Sequence, residues 1–467
     1  MKYLNSLFDI SFFPNVLKYI TLVFFIGLIV IGFTASSSDA ETLKYLRNTN
    51  LASLIVWSYW WPLIIAFSIF LGRIWCMVCP IELVTSLFAS IGLRKRRPKW
   101  LLSGWTITIF YIIILFVGIQ GFAIHRNPSY MAIYLIILLA VSIVVGSLFE
   151  KNTFCRYVCP VGYILGIYSR LSFVGWRVKN KDVCKSCTDK SCIKKTYIYN
   201  YNSKSCGVDL YPARIVNNSD CILCGGCRKT CGKHNTSNVV ERPNPQFQKI
   251  GFASDLFKLQ SLKIAEIAFV LIVSGFVIYE ICVEWKISKQ ILLLAPTSIN
   301  TYFSFDNPVI MGMVKSVSIF VILPIIIWLI PYLISRLVGS SIRFYDYLRY
   351  YGLSFIPIMA AAHLAKAVLK TTSRLPYFNI IGEDITGVTT ANKLVNNQLG
   401  LELMSTTMTY VITISLFVLM VAGIMLSIRI IMKLNRKRGN QKTDVSFYLI
   451  PAIYGGFFLF LISIWRI

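Results

Sequence analysis

Cys221-Ile-Leu-Cys224-Gly-Gly-Cys227-Arg-Lys-Thr-Cys231 is a C-x2-C-x2-C-x3-C run, and it decides how the rest of the chain is read. In such a run three closely spaced thiolates wrap one face of a four-iron cubane, and the fourth cysteine ligates the other cluster of a two-cluster module. Gly225 and Gly226 permit the tight backbone that wrapping requires. The rule demands a partner motif upstream, and Cys184-Lys-Ser-Cys187, Cys192 and Cys206 supply it. Crossed pairing assigns Cys184, Cys187, Cys192 and Cys231 to one [4Fe–4S] cluster. Cys206, Cys221, Cys224 and Cys227 are assigned to the second. A zinc ribbon also uses CxxC pairs, but eight cysteines in crossed quartets favour iron.

Outward from this run the chain is apolar. Of its 467 residues 56% are hydrophobic and 14% charged, with mean hydropathy +0.65. Soluble domains carry about 25% charged residues, so the sequence predicts a membrane protein. The formal charge of +27 would suggest nucleic acid on a soluble chain. Here Lys and Arg cluster between apolar runs, as the positive-inside bias requires, and no nucleic-acid role is expected. Closely spaced cysteines suit metal ligation on a reducing side better than cross-linking of distant segments.

About nine spans are expected, near 16–34, 51–71, 101–124, 130–149, 262–285, 308–337, 346–369, 408–431 and 446–465. The first run, before Ala35-Ser-Ser-Ser-Asp-Ala40, also has the length of a cleaved leader, but its long polar start argues for a span. Arg94, Lys95, Arg96, Arg97 and Lys99 follow the second span, and Arg436, Lys437 and Arg438 the eighth. The segments 35–50, 286–307 and 372–405 are poorer in Lys and Arg. The expected topology in a cell inner membrane therefore puts the N-terminus and residues 151–261 in the cytoplasm and the C-terminus in the periplasm. The fold class is an all-α polytopic membrane protein with a small inserted α+β, two-cluster ferredoxin domain. Its divisions are a four-helix membrane core over 1–175, the insert over 176–255 and a five-helix membrane domain over 256–467.

Two further motifs form a weak internal repeat, each after a pair of spans: Cys76-Met-Val-Cys79-Pro80 and Cys155-Arg-Tyr-Val-Cys159-Pro160. Each proline bends the chain just past its second cysteine, presenting both thiols near the membrane boundary. The four thiols suit a third iron–sulfur cluster, a dithiol/disulfide pair or a Cu(I) site; the residues alone leave these open. Cys282 has no partner and reads as packing. His363 and Lys366 stand within an apolar run, on one helical face, and ionisable residues inside a span are functional candidates because burying them is costly. They mark a candidate quinone headgroup site or proton relay.

Two Cys-Pro motifs at the membrane edge, followed by a two-cluster insert, resemble the membrane polyferredoxin family, the NapH, NosR and CcoG-like 4Fe–4S-binding membrane proteins. The resemblance covers about residues 50–235. It implies electron transfer between the quinone pool or cytoplasmic donors and a periplasmic or membrane redox partner. Cys76-x2-Cys79 is one residue shorter than the family's C-x3-C-P, which Cys155–Pro160 does match. The five spans after residue 260 lie beyond the family core. The leading expectation is a quinol-oxidising electron-transfer subunit. Its alternatives are a copper-cofactor assembly or reduction factor and a redox-sensing transporter.

Overall fold

The computed structural model describes residues 2–37, 39–199, 205–231, 244–401, 404–438 and 445–465. Parts of the predicted insert, 200–204 and 232–243, and Ser38 of the leader-like junction lie outside the described residues. Among the described residues eight helices are long and apolar enough to cross a membrane: Asn15–Phe33, Leu51–Leu71, Pro128–Leu148, Ile264–Cys282, Pro308–Leu337, Phe344–Ile381, Thr406–Arg438 and Val445–Ser463. The expected span over 101–124 is the shorter helix Trp105–Gly121, separated from Lys99–Leu102 by Gly104 at φ +86°. Its second half, Ile114–Gly121, is wound as a π-helix, and that irregularity with the glycine break shortens the regular run.

The chain folds as two compact units. The first comprises Met1–Ile29, Ala66–Ile107 and Leu135–Lys258 and contains every cysteine except Cys282. At its centre β1 (Val174–Val178) and β2 (Pro245–Lys249) pair antiparallel, Val174 opposite Lys249 and Val178 opposite Pro245. These strands flank the cysteine insert in sequence. Trp176 and Phe247 on the strands pack with Phe8, Met77, Val174 and Leu223 in a buried cluster. Phe8 belongs to the amphipathic N-terminal helix Lys2–Asp9. Asp9 at that helix's end takes both arms of Arg228 at 2.8 and 2.7 Å, fixing the helix to the ferredoxin run. Beneath the strands Arg177 makes a bidentate pair with the fully buried Asp255 at 2.7 and 2.6 Å and bonds Asn218 at 3.0 Å.

The second unit comprises Val30–Ile65, Thr108–Tyr134 and Leu259–Ile467. Its best-shielded span is Phe344–Ile381, 94% buried in its most apolar window, although this stretch carries His363 and Lys366. The two facts belong together: charged groups in a bilayer need protein neighbours. Gly423 lets Thr406–Arg438 come close enough that a methyl there would meet Ala361 Cβ at 2.7 Å and Pro357 O at 2.9 Å. The segments expected as connecting loops carry helices of their own, Ala40–Thr49, Lys286–Tyr302 and Val388–Val395. Ala40–Thr49 is capped by Asp39, which accepts from the amides of Glu41 and Thr42.

Candidate metal centres

The insert's backbone is bent around its sulfurs. Lys190, Asp209, Leu223 and Gly225 all have positive φ, and each follows a predicted ligand within one loop. Such kinks turn successive N–H groups inward, the geometry of an anion-binding nest. Lys190 N donates to Cys187 Sγ at 3.4 Å and Leu210 N to Cys206 Sγ at 3.3 Å. Asn244 Nδ2 donates to Cys184 Sγ at 3.1 Å. Hydrogen bonds of this kind to ligand sulfurs are among the terms that tune a cluster.

The thiols sort into groups by mutual electrostatics. Burial and then Cys231, Cys184 and Cys187 push the Cys192 thiol up to about 12. Burial, Cys206, Cys221 and Cys224 push Cys227 well up, and Cys192 adds to the effect. Burial moves Cys206 to about 11 and Cys221 to about 12, with Cys224 a neighbour of both. Cys192 thus lies in the field of Cys231, Cys184 and Cys187, and Cys227 in that of Cys206, Cys221, Cys224 and Cys192. All are free thiols and half-buried. Among the described residues no three Cys, His, Asp or Glu side chains converge as a single-ion site.

The two Cys-Pro motifs are local copies of one design. Cys79 and Cys159 are each the N-cap of a helix, with Pro80 and Pro160 at the first helical position. Cys159 Sγ accepts from Gly162 N at 3.3 Å. Cys79 faces the equivalent amides of Ile81 and Glu82. A helix N-terminus favours a thiolate, and here that works against burial, which raises Cys79 and moves Cys159 to about 11. Cys155 is raised by burial first and then by Glu82, Cys79, Cys159 and Cys76, so the four edge sulfurs share one neighbourhood. The donor set fits a cluster: four thiols, amides aimed at sulfur, and little water.

Sequence reasoning missed Arg73, three residues before Cys76. It is 2% exposed, and it donates to Ser219 O at 2.8 Å and to Cys155 O at 3.2 Å. Burial pulls its pKa down, but the charge and hydrogen bond of Cys76, with Asp220 and Cys155, carry it above the ordinary arginine value. Arg73 therefore ties the first motif to the second and to the insert, and it offsets sulfur charge. Its signal was a cation placed at a span end, indistinguishable in sequence from topology charge. Arg97 is similar: it bonds Thr153 Oγ1 at 2.9 Å, Lys151 O at 3.0 Å and Gly207 O at 3.1 Å. Lys18, paired with the buried Glu82, lies in the field of both Cys224 and Cys155. These two residues and Cys224 line a cavity of about 30 Å³, room for one or two waters.

In the second unit His363 lies between the rings of Trp61 and Phe276, at centroid distances of 6.0 and 6.1 Å. Lys366 donates to Glu280 O at 2.8 Å and pairs with the carboxylates of Glu284 and Glu280. Cys282 is buried in the same unit.

A 4Fe–4S binding domain model matches residues 53–99 and 132–182. These segments hold Cys76 and Cys79, and Cys155 and Cys159, and stop short of Cys184. An uncharacterised protein of Methanocaldococcus jannaschii is 26% identical over 220 residues, 46% of this chain and 81% of that one. The methylamine utilization ferredoxin-type protein MauN of Paracoccus denitrificans is 26% identical over 135 residues, 25% of this chain and 46% of MauN. The regulatory protein NosR of Pseudomonas aeruginosa is 21% identical over 234 residues, 46% of this chain and 30% of NosR. No solved structure matches. By this 4Fe–4S domain match and these relatives, the chain is similar to the ferredoxin-type membrane proteins of the polyferredoxin-like group.

Proposed function

We propose that this protein is a quinol dehydrogenase-like conduit, passing electrons through two [4Fe–4S] clusters in the insert and a third at the membrane edge. In this reading the insert and the N-terminus face the cytoplasm, the C-terminus faces the periplasm, and the onward acceptor is a separate redox protein. The observation that carries it is the continuity of sulfur in one unit: Cys192 beside Cys227 in the insert, and Lys18 in the field of both Cys224 and Cys155. Bound at these quartets, iron–sulfur clusters supply one-electron reduction and reoxidation. The chain's own part is to place the sulfurs, to donate N–H to them and to keep Arg73 and Lys18 as countercharges. Neighbouring cations lower the energy of an added electron.

His363 and Lys366 are the proposed quinol site. Oxidation of one quinol releases two electrons and two protons. His363 between its aromatic neighbours is the proposed acceptor of a proton, and the Glu280 and Glu284 carboxylates hold Lys366 in place. The test is anaerobic addition of quinol to the protein in nanodiscs, followed by the visible bleach and EPR of the clusters. Reduction by quinol that disappears in His363→Ala, with iron content unchanged, supports the reading. Clusters that take electrons from dithionite but never from quinol remove the quinol step. Cu(I) retained through Cys76 and Cys155 would move the assignment to copper handling.

A further inference from the structure

His363, Lys366, Lys370 and Arg374 follow one another at spacings of three, four and four residues, a single stripe along Phe355–Thr372 and just past its end. The carboxylates that reach this stripe are Glu280 and Glu284, and Lys366 takes both. The far end gathers more positive charge. Lys370 lies in the field of Glu280 but also of Lys366, Arg374 and Arg47, and Arg47, on the helix Ala40–Thr49, is in range of Arg374 and Arg126 as well as of Glu284. His125 stands among Arg126, Lys370, Arg47 and Lys315.

Two features make this cluster incomplete as it stands. Cations outnumber the two carboxylates, and burial, with Arg374 and Arg126, pulls the Arg47 pKa down. In addition, Arg47 Nε, Arg374 Nε and His125 Nδ1 are buried without a hydrogen-bond partner. A buried donor left unmade costs about 1–3 kcal/mol, more when charged. Water could accept these bonds but would leave the like charges facing each other. What satisfies both is an acceptor that is itself an anion with several oxygens, which the guanidinium fork suits.

We propose that Arg47, Lys370, Arg374 and His125 form a binding site for a phosphate-type oxyanion, supplied either as a free ion or as a phospholipid headgroup. None of these residues belongs to the sulfur quartets, so the site stands independently of the electron-transfer reading.

Full-length protein in detergent, stripped of lipid and at constant pH, is titrated with inorganic phosphate against chloride at equal ionic strength, with the thermal midpoint as readout. Native mass spectrometry of the unstripped protein reports retained phospholipid, and iron per chain is followed throughout. A free-ion site gives saturable phosphate stabilisation beyond chloride. A headgroup site gives a retained phospholipid that Arg374→Gln releases. In either case Arg374→Gln weakens binding about tenfold or more, with partial recovery in Arg374→Lys and iron unchanged. Arg47→Gln gives an independent reading should one variant fail to fold. Phosphate acting no better than chloride with no phospholipid retained overturns the proposal, as does binding untouched by both substitutions.

Discussion

In the insert, the backbone bends through the left-handed region after Cys187, Cys206, Cys221 and Cys224, as at Lys190 and Leu223. At the membrane edge, Cys79 and Cys159 sit instead at the first turns of two regular helices, and a buried arginine lies between the motifs. The first arrangement is largely local: most of the candidate ligands are three to five residues apart, with Cys231 and Cys206 crossing over from farther along the insert. The second is assembled from segments some eighty residues apart and depends on Arg73 and on the repeat closing properly. A site of the first kind tolerates changes elsewhere; one of the second kind is held by a few long-range contacts.

That contrast is broken most severely by deleting ligands. Cys76→Ser with Cys155→Ser should remove about four irons per chain and leave the insert's EPR signals in place. If iron and spectrum are unchanged, the edge holds no cluster. Next in size is Arg73→Met, which strands the Cys155 and Ser219 carbonyls and the Cys76 sulfur. A buried charged group removed from its partners costs about 3–5 kcal/mol, so the edge iron should be lost at lower denaturant concentration, with Arg73→Lys in between. Insert iron lost first would place the keystone elsewhere.

Gly225→Ala sharpens the other side. Gly225 has φ +71°, and an added methyl would meet Phe8 Cδ1 at 2.5 Å and Trp176 Cζ2 at 3.2 Å. Left-handed backbone costs a non-glycine residue about 1–2 kcal/mol, and the contact with Phe8 adds to it. Insert iron should fall while edge iron stays, as read by iron analysis with the Cys76/Cys155 double variant as reference.

The two regions were not equally legible. The insert cysteines stand out in the sequence because most of them are three to five residues apart, whereas the pairing of Cys231 and Cys206 with their quartets rests on the two-cluster rule. The edge motifs gave their cysteines and prolines but not their company. Arg73 and Arg97 look like topology charges until the fold brings Cys155 and Gly207 to them. The spans were readable from apolar length, except over 101–124, where Gly104 and a π-helical half leave a shorter helix. His363 and Lys366 made their span look weak, yet it is the best shielded of all. Hydropathy counts a charge as exposed to lipid, whereas Glu280, on the helix Ile264–Cys282, and Glu284, in the turn after it, come from a segment distant in sequence.

The smallest expected effect is on pH. Burial first, then neighbouring sulfur charge, raises the folded-state pKa of Cys192 and Cys221 from 9.0 to about 12. A raised thiol contributes stability that is present below its unfolded pKa and lost as pH climbs through the folded one. Chelator-stripped protein should therefore lose denaturant resistance from about pH 9 upward; a flat profile between pH 8 and 11 would contradict this.

The most direct test is iron, acid-labile sulfide and zinc per chain on anaerobically purified protein, with EPR spin counting after dithionite. Three cubanes require about twelve irons and twelve sulfides, no zinc and a spin count near three. Zinc in place of iron, or sulfurs of residues 184–231 recovered as disulfides, would contradict the account at its base.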